Sequence, residues 1–393
     1  MSVLTLKLKP REERRLRAGH LWVYSNEIDA GADFRNIEPG ALCRVLDSRD
    51  KPLGLGYVNP RTLLAVRLLS GNVDVTIDRE WFARRVAGAL ALRERIYGEP
   101  YYRLIYGEAD GLPGLVVDRY GDVLVVQITT AGMERLKAPL IEALQEVLQP
   151  RGILLRNENA ARELEGLAQD NEIIGEVPDP IEIREEGLRY TLSLAGGQKT
   201  GFFFDQRDNR SRLARYVRGR SVLDVFSYVG AWALRALHDG AASATCLDSS
   251  STALDAAQAS AALNGLTIET IRDDALAGMK ALRAAGRHFD VVIVDPPALI
   301  KRRKDFEAGI EHYAALNRAA LQLLAADGIL VSCSCSHHLG ADDLQRILLR
   351  EARHSGRRLR LLEQGAQGPD HPVHPAIPET RYLKGFFCSA TAE

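Results

Sequence analysis

The sequence predicts an α/β fold over its C-terminal half, built on a mostly parallel sheet with helical crossovers. Two observations predict it. Residues 221–226, 244–248, 289–294 and 328–331 are short, continuous apolar runs, and segments rich in Ala and Leu lie between them. Strands buried on both faces read this way, and helices join them. Each run also breaks into polar residues at its carboxyl end: Ser227-Tyr228-Val229-Gly230, Asp248, Asp295-Pro296-Pro297 and Ser332-Cys333-Ser334-Cys335-Ser336. Ligands sit at those ends in such sheets.

Composition sets the outer limits. Hydrophobic residues make up 46% and charged residues 26% of the 393 positions, which is ordinary for a soluble globular chain of two or three domains. No apolar run approaches the ~18 residues of a membrane span. The first residues lack the apolar core of a signal peptide. Five cysteines without framework spacing argue for reduced thiols and a cytoplasmic setting. No membrane association and no metal centre are expected. Net charge is −1, yet residues 1–70 hold twelve Lys or Arg against eight Asp or Glu. Six of these cations, Lys7, Lys9 and Arg11 among them, lie between Lys7 and Arg17. A basic N-terminal module suggests a polyanion partner; a solvated face is the alternative.

Taken in order, residues 1–72 read as a small β-rich domain. Strands are expected over 4–8, 41–47, 53–58 and 64–69, with a helix over 11–18 ending at Gly19. His20 and Trp22 follow, either to stack on bases or to plug a small barrel. Residues 73–185 form an α+β unit in βββαβ-like order, with a helix over 77–97, strands over 115–118 and 123–129, a helix over 134–148 and a strand over 152–156. Its Glu108, Asp110 and Asp118 read as turn and strand-end residues. Residues 186–393 are the catalytic candidate. They open on a strand over 188–194 and close on strands over 358–363 and 382–389, which suits a mixed sheet with one antiparallel strand.

The first turn of that sheet carries a single glycine, Gly230, with Asp224 inside the strand. This is a poor cradle for pyrophosphate, which favours three glycines. It suits a ligand with a charged amino-acid tail and no phosphate. Asp248, with Ser249 beside it, can accept ribose hydroxyls. Asp273 and Asp274 can accept from an adenine amino group, or simply cap a helix. Together these residues describe S-adenosylmethionine.

At the reacting end, Pro296 and Pro297 stiffen a loop after Asp295. Ala298 stands where amino-directed nucleic-acid methyltransferases place an aromatic, which disfavours exocyclic nitrogen as the target. Cys335 can add as a thiolate to C6 of cytosine and make C5 nucleophilic. A buried small hydrophobe is the alternative for Cys335. Cys333 could face the same side; Cys43, Cys246 and Cys388 read as core. Lys301-Arg302-Arg303-Lys304 follows the Asp295 loop and can grip phosphates or form a solvated turn.

Several segments carry a family resemblance. They are 19–27, 110–115, 200–207, 226–230, Asp295-Pro296-Pro297, Ser334-Cys335-Ser336 and 382–386. With them the whole chain resembles bacterial 23S rRNA cytosine-5 methyltransferases of the ribosomal RNA large subunit methyltransferase I type. The resemblance implies an N-terminal β-barrel PUA domain that binds RNA, a central α+β domain, and a Rossmann-like class I S-adenosylmethionine-dependent methyltransferase domain. It implies 23S rRNA or a large-subunit precursor as partner and leaves a homodimer open. Cys335 would be the nucleophile on C6, and Asp295 would hold the base edge and stabilise charge at N3. The 200–207 segment, with Thr200 and Phe203, would close over the methionine part of the cofactor beside Pro297. Arg207 would meet its carboxylate, and Phe226, Ser227, Tyr228 and Gly230 would wrap the same tail by backbone. The position that carries a second cysteine in many RNA cytosine-5 methyltransferases is Ala298, so another base must remove the C5 proton. Two rival readings stay open: methylation of a different RNA base atom, and a non-catalytic RNA-binding assembly factor.

Overall fold

The computed structural model describes residues 3–31, 33–194 and 201–392. The chain divides into two compact units. One holds the residues up to 179 together with 369–380, and the other holds 180–194, 202–368 and 381 onward.

The first unit contains two five-stranded sheets. The N-terminal sheet runs Leu4–Lys7, Ala41–Leu46, Pro52–Val58, Leu64–Ser70 and Trp22–Tyr24 in spatial order. Val23, Val45, Val58 and Val66 are fully buried at its centre. The short strand Trp22–Tyr24 was not expected. It pairs with Leu64–Ser70 and buries Val23 alone of its three side chains. The second sheet runs Glu172–Gly175, Gly152–Leu155, Val123–Ile128, Leu115–Tyr120 and Tyr101–Tyr106. The expected helix over 134–148 is instead two helices, Ala131–Arg135 and Lys137–Leu148. The first starts where Thr130 Oγ1 accepts from Met133 N, earlier than the apolar pattern indicates. The acidic residues of this unit are structural, as read. Asp118 is fully buried against Arg103. Asp110 accepts both ends of the buried Arg93 guanidinium at 2.6 and 2.8 Å. The same guanidinium donates to Asp370 O at 2.9 Å, which ties residues 369–380 into this unit.

The second unit is organised by one seven-stranded sheet. Its strands are β1 (Ser221–Val225), β2 (Ser243–Asp248), β3 (Glu269–Arg272), β4 (Phe289–Val294), β5 (Leu324–Ser334), β6 (Arg357–Gly365) and β7 (Lys384–Ala392). The spatial order is β3-β2-β1-β4-β5-β7-β6, and only β7 runs antiparallel to its neighbours. The helices between and after its strands are α1 (Ala231–His238), α2 (Ser251–Leu263), α3 (Ala275–Ala284), α4 (Phe306–Leu323) and α5 (Ala341–His354), and two short helices, Arg207–Arg212 and Ala214–Val217, precede the sheet. Side-chain alternation sorts the strands between two cores. Val222, Val291, Ile293, Val331, Cys333 and Phe387 pack with Trp232 and Leu254 on the α1 and α2 face. Leu223, Val292, Val294, Leu330 and Phe386 pack with Met279, Tyr313 and Leu348 on the α3, α4 and α5 face. Strand order reverses between β1 and β4, and a cleft opens beyond the carboxyl ends at such a switch point.

Candidate active site

The loop from β1 to α1 forms one wall of the cleft. Phe226, Tyr228 and Gly230 all have positive φ, at 64°, 49° and 74°. Gly is at ease there, but two aromatic residues are strained, and such strain persists where surrounding contacts hold it. Here Phe226 N donates to Leu247 O at 2.9 Å and Tyr228 N to Asp248 Oδ2 at 2.9 Å. A Cβ on Gly230 would come within 3.0 Å of Ala257 Cβ, so only glycine lets α1 approach α2 this closely. Ser227 is buried in the turn. Asp224, one strand residue before this wall, is fully buried. Its Oδ2 accepts from Ala233 N at 3.2 Å, while Oδ1 has no hydrogen-bond partner among the described residues. Burial pushes its carboxyl up to about 8, against the pull of the Ala233 N–H.

Asp248 and Asp274 sit at the next two strand ends. The second oxygen of Asp248 accepts from Ser250 N at 2.9 Å, and Ser249 is exposed beside it. Asp274 is exposed and caps α3, accepting from Leu276 N and Ala277 N. The capping alternative therefore describes its carboxylate, and Asp273 in turn accepts from Asp274 N.

The other wall joins β4 and β5. Asp295 Oδ1 accepts from Gln206 Nε2 at 2.9 Å and Oδ2 from Trp232 Nε1 at 3.1 Å. Burial pushes this carboxyl up to about 6, while the Trp232 N–H works against the rise and the nearby Asp205 adds to it. Pro297 is exposed in the following loop. Of the five cysteines, Cys335 alone is not buried. Its Sγ lies 3.8 Å from Pro296 O, so the thiol and the Asp295 loop face each other. Cys333 is sealed in the α1-side core, and burial holds its thiol far above the ordinary range.

Cys335 is positioned by its neighbours. Ser334 and Ser336 are fully buried on the α4 side, and their Oγ atoms lie 2.8 and 2.9 Å from the Tyr313 hydroxyl. Ser336 Oγ also accepts from Ile300 N at 3.1 Å, joining the β5 turn to the Asp295 loop. From β7, Lys384 Nζ donates to Ser336 O at 2.6 Å.

The described part of the segment ending at Arg207 touches both the β1–α1 loop and Asp295, through Phe203 and Gln206; Thr200 lies outside the described residues. The Phe203 ring meets Tyr228 edge-on at 5.5 Å between centroids. Asp205 Oδ2 accepts from the Tyr382 hydroxyl at 2.5 Å. Arg207, expected to meet the cofactor's carboxylate, is buried and donates to Glu185 Oε2 at 3.2 Å. Arg210 donates to both oxygens of the same carboxylate at 2.7 and 2.6 Å. Burial alone would raise the Glu185 carboxyl, but Arg210 and then Arg207 more than offset it and hold it below the usual range. Gln206, Trp232, Tyr313, Lys384 and Glu185 were not anticipated. One signal was available: alternating serines at 334 and 336 imply a buried polar face, and such a face needs a partner.

The basic residues are placed as follows. Lys7 pairs with Asp50 at 2.9 Å, Lys9 donates to Asn26 O at 2.8 Å, and Arg11 is exposed. His20 Nδ1 accepts from Trp22 N at 3.0 Å, and Trp22 Nε1 donates to Glu108 at 2.9 Å. This fixes both rings in their own unit. Lys301, Arg302 and Arg303 are exposed, with Arg302 paired to Asp305 at 3.0 Å. Arg303 and Lys304 line a cavity of about 620 Å³ with Phe306, Glu307, His337 and His338, the histidines lying two and three residues beyond Cys335.

Comparison with known proteins places this geometry. The profile described as an S-adenosylmethionine-dependent methyltransferase matches residues 167–383, and that of a PUA-like domain matches 6–71. The protein named ribosomal RNA large subunit methyltransferase I in Erwinia tasmaniensis is 37% identical over 399 residues, covering 99% of both chains. Its namesake in Escherichia coli is 36% identical over 396 residues, again covering 99% of each. The chain belongs to the ribosomal RNA large subunit methyltransferase I family. Two solved structures share the family's fold. A candidate SAM-dependent methyltransferase from Streptococcus mutans, 20% identical, covers 98% of this chain with a TM-score of 0.82. A candidate methyltransferase complexed with SAH, 21% identical, covers 99% with a TM-score of 0.83. S-adenosylmethionine is the cofactor of the family, and this chain's residues fit it. The turn at Gly230 carries one glycine and no phosphate cradle, each Asp248 oxygen retains an acceptor position for a hydroxyl, and the buried Asp224 Oδ1 has no hydrogen-bond partner among the described residues. Among the described residues no helix is long and apolar enough to cross a membrane.

Proposed function

We propose that this enzyme methylates C5 of a cytosine in 23S ribosomal RNA, or in a large-subunit precursor, through a covalent adduct between Cys335 and C6. The observation that carries this reading is the position of Cys335. It is the one cysteine that is not buried, it faces the Asp295 loop across 3.8 Å, and buried hydrogen bonds hold it from both sides. The Cys335 thiolate adds to C6, which makes C5 an enamine carbon. Asp295, held by Gln206 and Trp232 and raised by burial, holds the base edge and stabilises charge at N3. Bound S-adenosylmethionine supplies the electrophilic methyl group. The loop of Phe226, Ser227, Tyr228 and Gly230, with Phe203, Asp248, Ser249, Asp274 and Pro297, would hold it, and Thr200 and Arg207 belong to the segment that covers it.

The rest of the chain serves the RNA. Residues 1–72 act as the PUA module, with Lys7, Lys9, Arg11, His20 and Trp22 on the RNA side, and residues 73–185 join it to the methyltransferase domain, 186–393. Lys301, Arg302 and Arg303 meet phosphates beside the target base. The test is product chemistry. The enzyme is incubated with 23S rRNA and methyl-labelled S-adenosylmethionine, and the RNA is digested to nucleosides. Label in 5-methylcytidine is expected. Label in a guanine, adenine or uracil nucleoside would overturn the cytosine-5 reading.

A further inference from the structure

Lys384 opens β7, and its partner in the antiparallel register is Ser334 on β5. Its side chain reaches past that partner, and Nζ donates to Ser336 O at 2.6 Å. The lysine thus spans the turn Ser334-Cys335-Ser336, with the cysteine between its two points of attachment. It is partly buried, and among the described residues no carboxylate lies within ion-pair distance of Nζ. Nζ is held on the carbonyl of the residue that follows Cys335, which keeps the amine beside the turn that carries the thiol.

We propose that Lys384 is the proton partner of Cys335: it takes the thiol proton and holds the thiolate as an ammonium ion. This rests on the reading of Cys335 as the nucleophile. The step balances without a further reactant. The S–H bond of Cys335 breaks, the proton becomes the third N–H of Lys384, and the sulfur electron pair is freed to form the bond to C6. When that bond breaks after methylation, the proton can return to sulfur. The electrostatics agree with the geometry. Burial pulls the Lys384 amine down to about 8, and the charge of Cys335 acts to raise it. An amine drawn down by burial beside a thiol is suited to share that thiol's proton.

The test measures the thiolate itself. Alkylation of Cys335 by iodoacetamide is followed across pH by mass spectrometry of its peptide, in wild type, Lys384→Met, Lys384→Gln and Lys384→Arg. Wild type should titrate below a free cysteine. Lys384→Met and Lys384→Gln should move the midpoint up by about one pH unit, which slows alkylation roughly tenfold below both midpoints. Lys384→Arg, which keeps the charge, should stay near wild type. An unmoved midpoint in both neutral variants overturns the pairing. Adduct formation with 5-fluorocytosine RNA is run on the same wild-type protein. An adduct there together with an unmoved midpoint in the variants rejects the lysine alone. A Lys384-dependent midpoint without an adduct keeps the pair and rejects the cytosine-5 reading.

Discussion

Removing one hydroxyl, in Tyr313→Phe, should loosen the reacting end without touching any group that meets the substrate. The Tyr313 hydroxyl lies 2.8 Å from Ser334 Oγ and 2.9 Å from Ser336 Oγ, and all three residues are buried. A net neutral hydrogen bond contributes about 1 kcal/mol, and a buried hydroxyl left unsatisfied costs about 1–3 kcal/mol. Ser336 Oγ keeps the Ile300 N–H and Ser334 Oγ the Ser336 N–H as donors, so neither is stranded and the expected destabilisation is about 1–2 kcal/mol. The same hydroxyl fixes the residues on either side of Cys335, and misplacing a reacting group by ~1 Å can cost on the order of a hundredfold in rate. Urea denaturation monitored by circular dichroism should show the stability loss. Single-turnover methyl transfer should slow by about 10- to 100-fold, with cofactor affinity little changed. A variant that loses the stability but keeps the wild-type single-turnover rate would refute the argument that this network positions Cys335.

Three further outcomes follow from the same structure. Glu185→Gln removes the buried carboxylate that Arg207 and Arg210 share and should cost about 3 kcal/mol in chemical denaturation at neutral pH. Because the Glu185 carboxyl is depressed in the folded state, its contribution is full above the unfolded value of about 4.3 and is lost as pH falls through the lower folded value, so the variant should flatten the acid side of the stability curve. Asp224 has the opposite sign. Its carboxyl is raised to about 8, so the wild-type chain should lose stability as pH rises from about 4 to 8, and Asp224→Asn should remove that slope in thermal scans. Replacing Arg303 and Lys304 together by Gln should weaken RNA binding and reduce the dependence of log K on log salt by roughly 0.7–0.9 per lost phosphate contact; an unchanged slope would remove this cavity from the RNA path.

Much of the second unit was legible in the sequence because its central strands are buried on both faces. The runs at 221–226, 244–248 and 289–294 match β1, β2 and β4 to within a residue or two, since a continuous apolar run there leaves little choice. Short elements held by partners far along the chain were not legible. Trp22–Tyr24 and Glu172–Gly175 become strands through pairing with residues 64–70 and 152–155, and three or four residues carry too little pattern to announce it. The site divides in the same way. Asp295 and Cys335 stand at strand ends, where chain position alone marks them. Gln206, Trp232 and Tyr313 act across 89, 63 and 21–23 residues of sequence, and only the fold brings them to their partners. Arg207 shows the limit of reading one charge at a time: its guanidinium suits a ligand carboxylate, but Glu185 supplies a buried one.

The measurement that tests the account most directly is covalent trapping on a 5-fluorocytosine-substituted 23S rRNA fragment with S-adenosylmethionine. Fluorine at C5 blocks proton removal, so a cysteine joined to C6 stays attached. A cofactor-dependent adduct is expected in wild type and in Cys333→Ala, whose thiol is buried in the core, and none in Cys335→Ala. An adduct lost only in Cys333→Ala would contradict the assignment of the nucleophile. No adduct in any of the three, with methyl transfer to unsubstituted RNA intact, would contradict the cytosine-5 chemistry itself.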